Sequence, residues 1–153
     1  RERISVTGFT DIQRAAMFYV LVKTGFGASL RTFGCNKKRL NTDNFADIEA
    51  RLDGVVIENK DFEDLIKVYD REKALFYCDP PYHKTERHYT VKFTEDDHER
   101  LCRVLHQIKG RFVLSYNDDK YVRDLYKDYN IQAVTRNNSL SSGDFKEVII
   151  TNF

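Results

Sequence analysis

Asp79-Pro80-Pro81-Tyr82 follows directly on the apolar run Ala74-Leu75-Phe76-Tyr77-Cys78. Proline has no N–H to give a ladder or a helix, and it drives the residue before it into extended geometry. A strand therefore ends here in a stiff corner that presents one carboxylate, carbonyl oxygens and a flat ring. These groups suit an exocyclic amino group on a planar base: the Asp79 carboxylate and the Pro80 carbonyl accept its two N–H bonds while the Tyr82 ring stacks on the base. With both N–H bonds held, the nitrogen lone pair turns out of conjugation and toward an electrophile. Positioning and electrostatics then drive an in-line displacement without a strong base. The plainer alternative is a proline-stiffened loop with a surface acid.

The flanking sequence must place this corner. Apolar spacing predicts a helix over residues 10–23, with Ile12, Ala16, Tyr19 and Val20 on one face and Thr10 as N-cap. Residues 25–39 mix glycines, phenylalanines and cations without a period and read as a loop or irregular hairpin. Phe45, Ile48 and Leu52 give a second short helix ending near Gly54. From there the pattern alternates. Val55-Val56-Ile57-Glu58 is a predicted strand, and a helix follows with Asp61 as N-cap and Phe62, Leu65, Ile66 and Tyr69 on one stripe. Ala74 to Cys78 is the next strand. Thr94 caps a long helix carrying Leu101, Val104, Leu105 and Ile108, and Gly110 stops it. A strand over 111–116, a helix over 119–127 and two closing strands over 131–135 and 148–152 complete the pattern, with polar residues 137–143 between the last two. The order is that of an α/β domain around a largely parallel sheet with an antiparallel finish. Ligands of such sheets sit at the carboxyl ends of the strands. Three polar clusters fall there: Asn59-Lys60-Asp61-Phe62, Asp79-Pro80-Pro81-Tyr82 and Ser115-Tyr116-Asn117-Asp118.

The 153 residues suffice for one domain with a real core. No apolar run approaches the ~20 residues of a membrane span, and no signal-peptide pattern opens the chain. Cys35, Cys78 and Cys102 are widely spaced and odd in number, which suits reduced thiols of a cytoplasmic protein. The net charge of +1 is unevenly spread. Residues 1–42 hold eight Lys/Arg against two acids, a net of +6, and residues 43–153 hold seventeen against twenty-two, a net of −5. A basic amino-terminal block suits contact with phosphates, although a solvated basic surface would read the same. His83, His88, His98 and His106 form no ligand pattern, so neither a metal nor a histidine base is expected.

The tetrad at 79–82 resembles the catalytic motif of amino-methyltransferases, above all Dam-like DNA adenine N6-methyltransferases. The order of segments is similar to the α group of that family, where target recognition precedes catalysis. The resemblance implies a Rossmann-like methyltransferase fold, S-adenosylmethionine as methyl donor and double-stranded DNA as partner, with the target adenine flipped out of the duplex. Asp79, Pro80, Pro81 and Tyr82 take the catalytic positions. Asp61 and Phe62 resemble the adenosine-contacting element, with Asp79 also beside the cofactor. Asp61 serves equally as a helix cap, and the two roles are compatible. Lys23, Arg31, Thr32, Asn36, Lys37, Lys38 and Arg39 fall in the segment that implies DNA contact, while Ser115-Tyr116-Asn117-Asp118 reads chiefly as a turn after a strand. Tyr89 falls in the loop that follows the catalytic corner.

The family's Phe-x-Gly-x-Gly strand-turn, which approaches the methionine part of the donor, has no match here, and Gly25-Phe26-Gly27 lacks the preceding strand. Residues 1–53 are therefore expected to be part of the DNA target-recognition region, small and mostly helical. Residues 54–153 are expected to form the C-terminal part of the catalytic domain, an incomplete fold lacking its N-terminal strands. The first residue, Arg1, also suggests that the native start lies upstream, and a missing N-terminal segment or a complementing chain would be needed for activity. Two other readings stay open: methylation of cytosine N4 or of RNA adenine, and a DNA-binding fragment without catalysis.

Overall fold

The computed structural model describes residues 8–25, 44–86, 92–137 and 144–153. Two compact units divide the chain, Arg1–Ile57 and Glu58–Phe153.

In the first unit, helix α1 (Asp11–Thr24) starts at Thr10, whose hydroxyl accepts from the Gln13 N–H while the Gln13 side chain reaches back to the Thr10 N–H, a reciprocal capping box. Helix α2 (Phe45–Leu52) follows, and Phe45 meets Tyr19 edge-on at 5.3 Å between centroids. None of the residues of either helix is buried, and Ile12, expected on a core-facing stripe, is 82% exposed.

The second unit carries the core. Helix α3 (Phe62–Tyr69) begins where the Asp61 carboxylate accepts from the Glu63 N–H at 2.9 Å, as the sequence predicts. Strand β1 (Leu75–Cys78) leads to the proline corner, and helix α4 (Glu95–Gln107) opens at Thr94, whose N–H and hydroxyl both meet the Asp97 carboxylate. Strand β2 (Arg111–Asn117), helix α5 (Lys120–Leu125), strand β3 (Asn130–Asn137) and strand β4 (Asp144–Thr151) complete it. The sheet order is β1-β2-β4-β3; β1 and β2 are parallel, and β4 runs antiparallel to both neighbours.

The fold is mixed α/β, and two expectations need correction. Residues 55–58 form no strand: Val56 and Ile57 are 74% and 81% exposed, and β1 is an edge of the sheet. A short apolar run becomes a strand only when a neighbour takes its N–H and C=O groups, and no described strand does so. For the same reason the sheet is not largely parallel, having one parallel pair and two antiparallel ones. The closing strands are also longer than expected, because β3 and β4 pair on through Arg136↔Phe145 and Asn137↔Asp144, beyond the last apolar alternation.

Directly opposed residues share a face, so Phe76, Cys78, Phe112, Leu114, Tyr116, Val148 and Ile150 lie on one side of the sheet. This face packs on Ile66 of α3, Leu101, Val104 and Leu105 of α4 and Val122 of α5 to make the core. Gly110 is obligatory at the entry to β2, since a Cβ there would stand 2.7 Å from the Ala74 carbonyl oxygen. The other face holds Leu75, Tyr77, Val113, Ser115 and Glu147.

Candidate active site

The proline corner leaves the carboxyl end of β1 with Asp79 on the less covered face, and β2 supplies its support. The Ser115 hydroxyl, buried in the sheet, donates to Asp79 Oδ1 at 2.8 Å. Asp79 itself is exposed, and Ser115 holds one oxygen of its carboxylate. Tyr82 is held at both ends. Its hydroxyl donates to Glu147 Oε1 at 3.2 Å, and its carbonyl accepts from the Thr85 N–H and hydroxyl at 2.9 and 2.8 Å. Burial pushes the Tyr82 phenol up to about 12, opposed in part by its hydrogen bond with Ser115, so it stays a neutral donor. Two carboxylates, a hydroxyl and a phenol thus join β1, β2 and β4 at one strand end.

The turn behind Tyr82 is clamped by two buried histidines. His83 stacks on Tyr121 at 4.4 Å and places Nδ1 3.1 Å from Asp119 Oδ1, while its carbonyl accepts from Asn117 Nδ2 at 3.2 Å. His98 of α4 sits between Tyr116 (Nδ1 to hydroxyl, 2.6 Å) and Glu86 (Nε2 to Oε1, 3.0 Å). Burial drives Tyr116 strongly upward and keeps it protonated, and the ionised Glu86 carboxylate, which can only accept, takes the N–H of His98 Nε2. Between the two clamps Lys84 takes φ +67°, a costly backbone for a residue with a side chain, and its N–H donates to Glu86. A turn strained this way persists because its surroundings fix it.

The corner thus sets an exposed carboxylate, held by a neighbouring strand, beside an anchored ring. A family model of D12 class N6 adenine-specific DNA methyltransferases matches residues 11–140. The chain belongs to this family.

A groove of about 410 Å³ runs from the corner to α3, lined among others by Phe62, Leu65, Phe76, Asp79, Pro80 and Phe93. Its size lies in the range of small-molecule sites. It brings Asp79, Pro80 and Phe62 together. Asp61 stands at the same helix start but faces Arg100: the guanidinium meets Asp61 Oδ1 and Oδ2 at 2.8 and 3.0 Å and covers the Phe62 ring at 4.1 Å from its centroid. The Arg100 contact holds the Asp61 carboxyl below its usual range. Lys23 lies in the last turn of α1, its ammonium 5.6 Å over the Tyr19 ring. Arg31, Thr32, Asn36, Lys37, Lys38, Arg39 and Tyr89 lie outside the described residues.

Sequence reasoning passed over Ser115, Glu147, His83, His98 and Arg100. Ser115 had a signal, its place in the third strand-end cluster. His83 had another, its position directly after the tetrad. Glu147 stands beside Lys146 directly before the apolar run Val148-Ile149-Ile150 and gave no local signal of its burial. Arg100 had none, because its partner Asp61 is 39 residues away. Among the described residues there is no group of three or more His, Cys, Asp or Glu placed to hold a metal, and no helix long and apolar enough to cross a membrane.

Proposed function

We propose that this chain transfers a methyl group from S-adenosylmethionine to the exocyclic N6 amino group of an adenine flipped out of double-stranded DNA. The observation that carries the proposal is the exposed Asp79 carboxylate, oriented by Ser115 next to the anchored Tyr82. In this reading Asp79 and the Pro80 carbonyl accept the two amino N–H bonds, Pro81 stiffens the corner, and Tyr82 stacks on the flipped base. The donor supplies an electrophilic methyl carbon. Attack forms the N–C bond as the sulfonium C–S bond breaks, and the proton lost by the methylated amine leaves through Asp79 or water.

The groove supports a fit for the donor: an aromatic ring, Phe62, and Asp79 both line it, together with apolar side chains. Asp61 and Phe62 would hold the adenosine part, with Asp79 beside the donor. Lys23, Arg31, Thr32, Asn36, Lys37, Lys38 and Arg39 would contact DNA from a recognition region over residues 1–53. Residues 54–153 would be the C-terminal part of a Rossmann-like catalytic domain whose remaining strands come from an upstream segment or a complementing chain. The exposure of Leu75 and Tyr77 on edge strand β1 supports that completion.

The test is product analysis. The full-length polypeptide carrying this chain, given labelled S-adenosylmethionine and unmethylated duplex DNA, is expected to yield N6-methyladenine. Label recovered as N4-methylcytosine, or incorporated into RNA in preference to duplex DNA, would overturn the assignment.

A further inference from the structure

We infer that Arg100 is a positioning residue for the adenine ring of the methyl donor, aligning the acid and the aromatic ring that receive it. The inference rests on the S-adenosylmethionine reading above and adds a residue to it.

Arg100 lies on α4, and the groups it organises lie at the start of α3. Nη1 and Nη2 meet the two Asp61 oxygens at 2.8 and 3.0 Å as a parallel fork, and Nη2 also meets Asp97 Oδ1 at 3.0 Å. Nη1 lies 3.4 Å from Glu63 Oε2, and the guanidinium carbon lies 4.1 Å from the Phe62 ring centroid. One planar cation therefore fixes an acceptor and an aromatic face at once. A lysine cannot do this, since its ammonium is a point charge without a plane or a fork.

Counting acceptor positions sharpens the role. A carboxylate offers about four lone-pair sites. Asp61 Oδ1 takes the Glu63 N–H at 2.9 Å and Arg100 Nη1, and Oδ2 takes Arg100 Nη2. One site on Oδ2 remains, enough for a single N–H of a 6-amino group. Phe62, whose ring Arg100 covers, lines the groove that reaches Asp79. The plainer role for Arg100 is a staple between two helices. Exposed ion pairs of that kind contribute little, and a staple would not distinguish one purine from another.

That difference is the test. The ligands are S-adenosylhomocysteine and its analogue with hydrogen in place of the 6-amino group, titrated calorimetrically into the full-length polypeptide. Wild type is compared with Arg100→Met, which keeps the stem, and Arg100→Lys, which keeps the charge; melting curves establish that each variant is folded. Wild type is expected to prefer the amino ligand. Arg100→Met is expected to bind it about ten-fold more weakly, the scale of one charge-assisted hydrogen bond, with little change for the analogue, and Arg100→Lys is expected not to restore the preference. Equal weakening of both ligands, unchanged affinity, tighter binding, or full restoration by lysine would overturn the role. Failure of wild type to bind either ligand would instead overturn the cofactor reading itself.

Discussion

The two faces of the sheet differ in how they are covered. On one face Phe112, Leu114, Tyr116, Val148 and Ile150 are wholly buried under α3, α4 and α5. On the other, Leu75 and Tyr77 of β1 are 63% and 69% exposed. Yet the exposed face also bears Ser115 and Glu147, the buried polar pair that fixes the Asp79 corner. One face makes a stable platform. The other holds the Asp79, Ser115 and Glu147 contacts at its strand ends and leaves Leu75 and Tyr77 exposed at its edge strand. Stability and the site are thus drawn from opposite sides of the same strands.

Mutations on the two faces should separate these roles. Leu114→Ala on the closed face should lower the unfolding free energy by about 2–5 kcal/mol, the cost of a core truncation, read from urea melts. Ser115→Ala on the other face should cost about 1 kcal/mol in stability but lower the methyl-transfer rate of the full-length polypeptide about ten-fold at unchanged DNA affinity. A rate as high as wild type would mean that Asp79 does not depend on Ser115. Alkaline pH probes the buried tyrosines. An unfolded tyrosine loses its proton near its ordinary value of 10.0, whereas Tyr82 keeps its own to about 12, with Tyr116 and Tyr126 shifted the same way by burial. Between those values the folded state binds more protons, so stability should fall as pH rises through that window, and a flat urea midpoint there would contradict it. The smallest effect is expected for Tyr77→Ser, within about 0.5 kcal/mol in this chain. A much larger loss for the same change in the full-length polypeptide would show that the open face is covered there.

The proline corner at the end of β1 was legible because its signal is local: an apolar strand, an acid, two prolines and an aromatic stand in sequence. The helix starts at Thr10, Asp61 and Thr94 were legible for the same reason, a capping side chain beside an apolar period. What depends on partners was not. The run at residues 55–58 has the apolar character of a strand but no strand to pair with among the described residues, and Ile12 has helical spacing without a buried face. Residues 136–137 and 144–145 pair in a ribbon whose polar sequence carries no alternation. The clamps around Tyr82 stayed hidden because they close long loops, with Glu147 65 residues from Tyr82 and Asp119 36 from His83.

The most direct test of the account is Asp79→Ala in the full-length polypeptide, with methyl transfer to unmethylated duplex DNA and DNA affinity measured on the same preparation. A loss of about 10²–10³-fold or more in turnover with DNA binding retained is the predicted result, as expected when a preorganised group at the reacting centre is removed. Turnover close to wild type would contradict the assignment of the amino group to this corner.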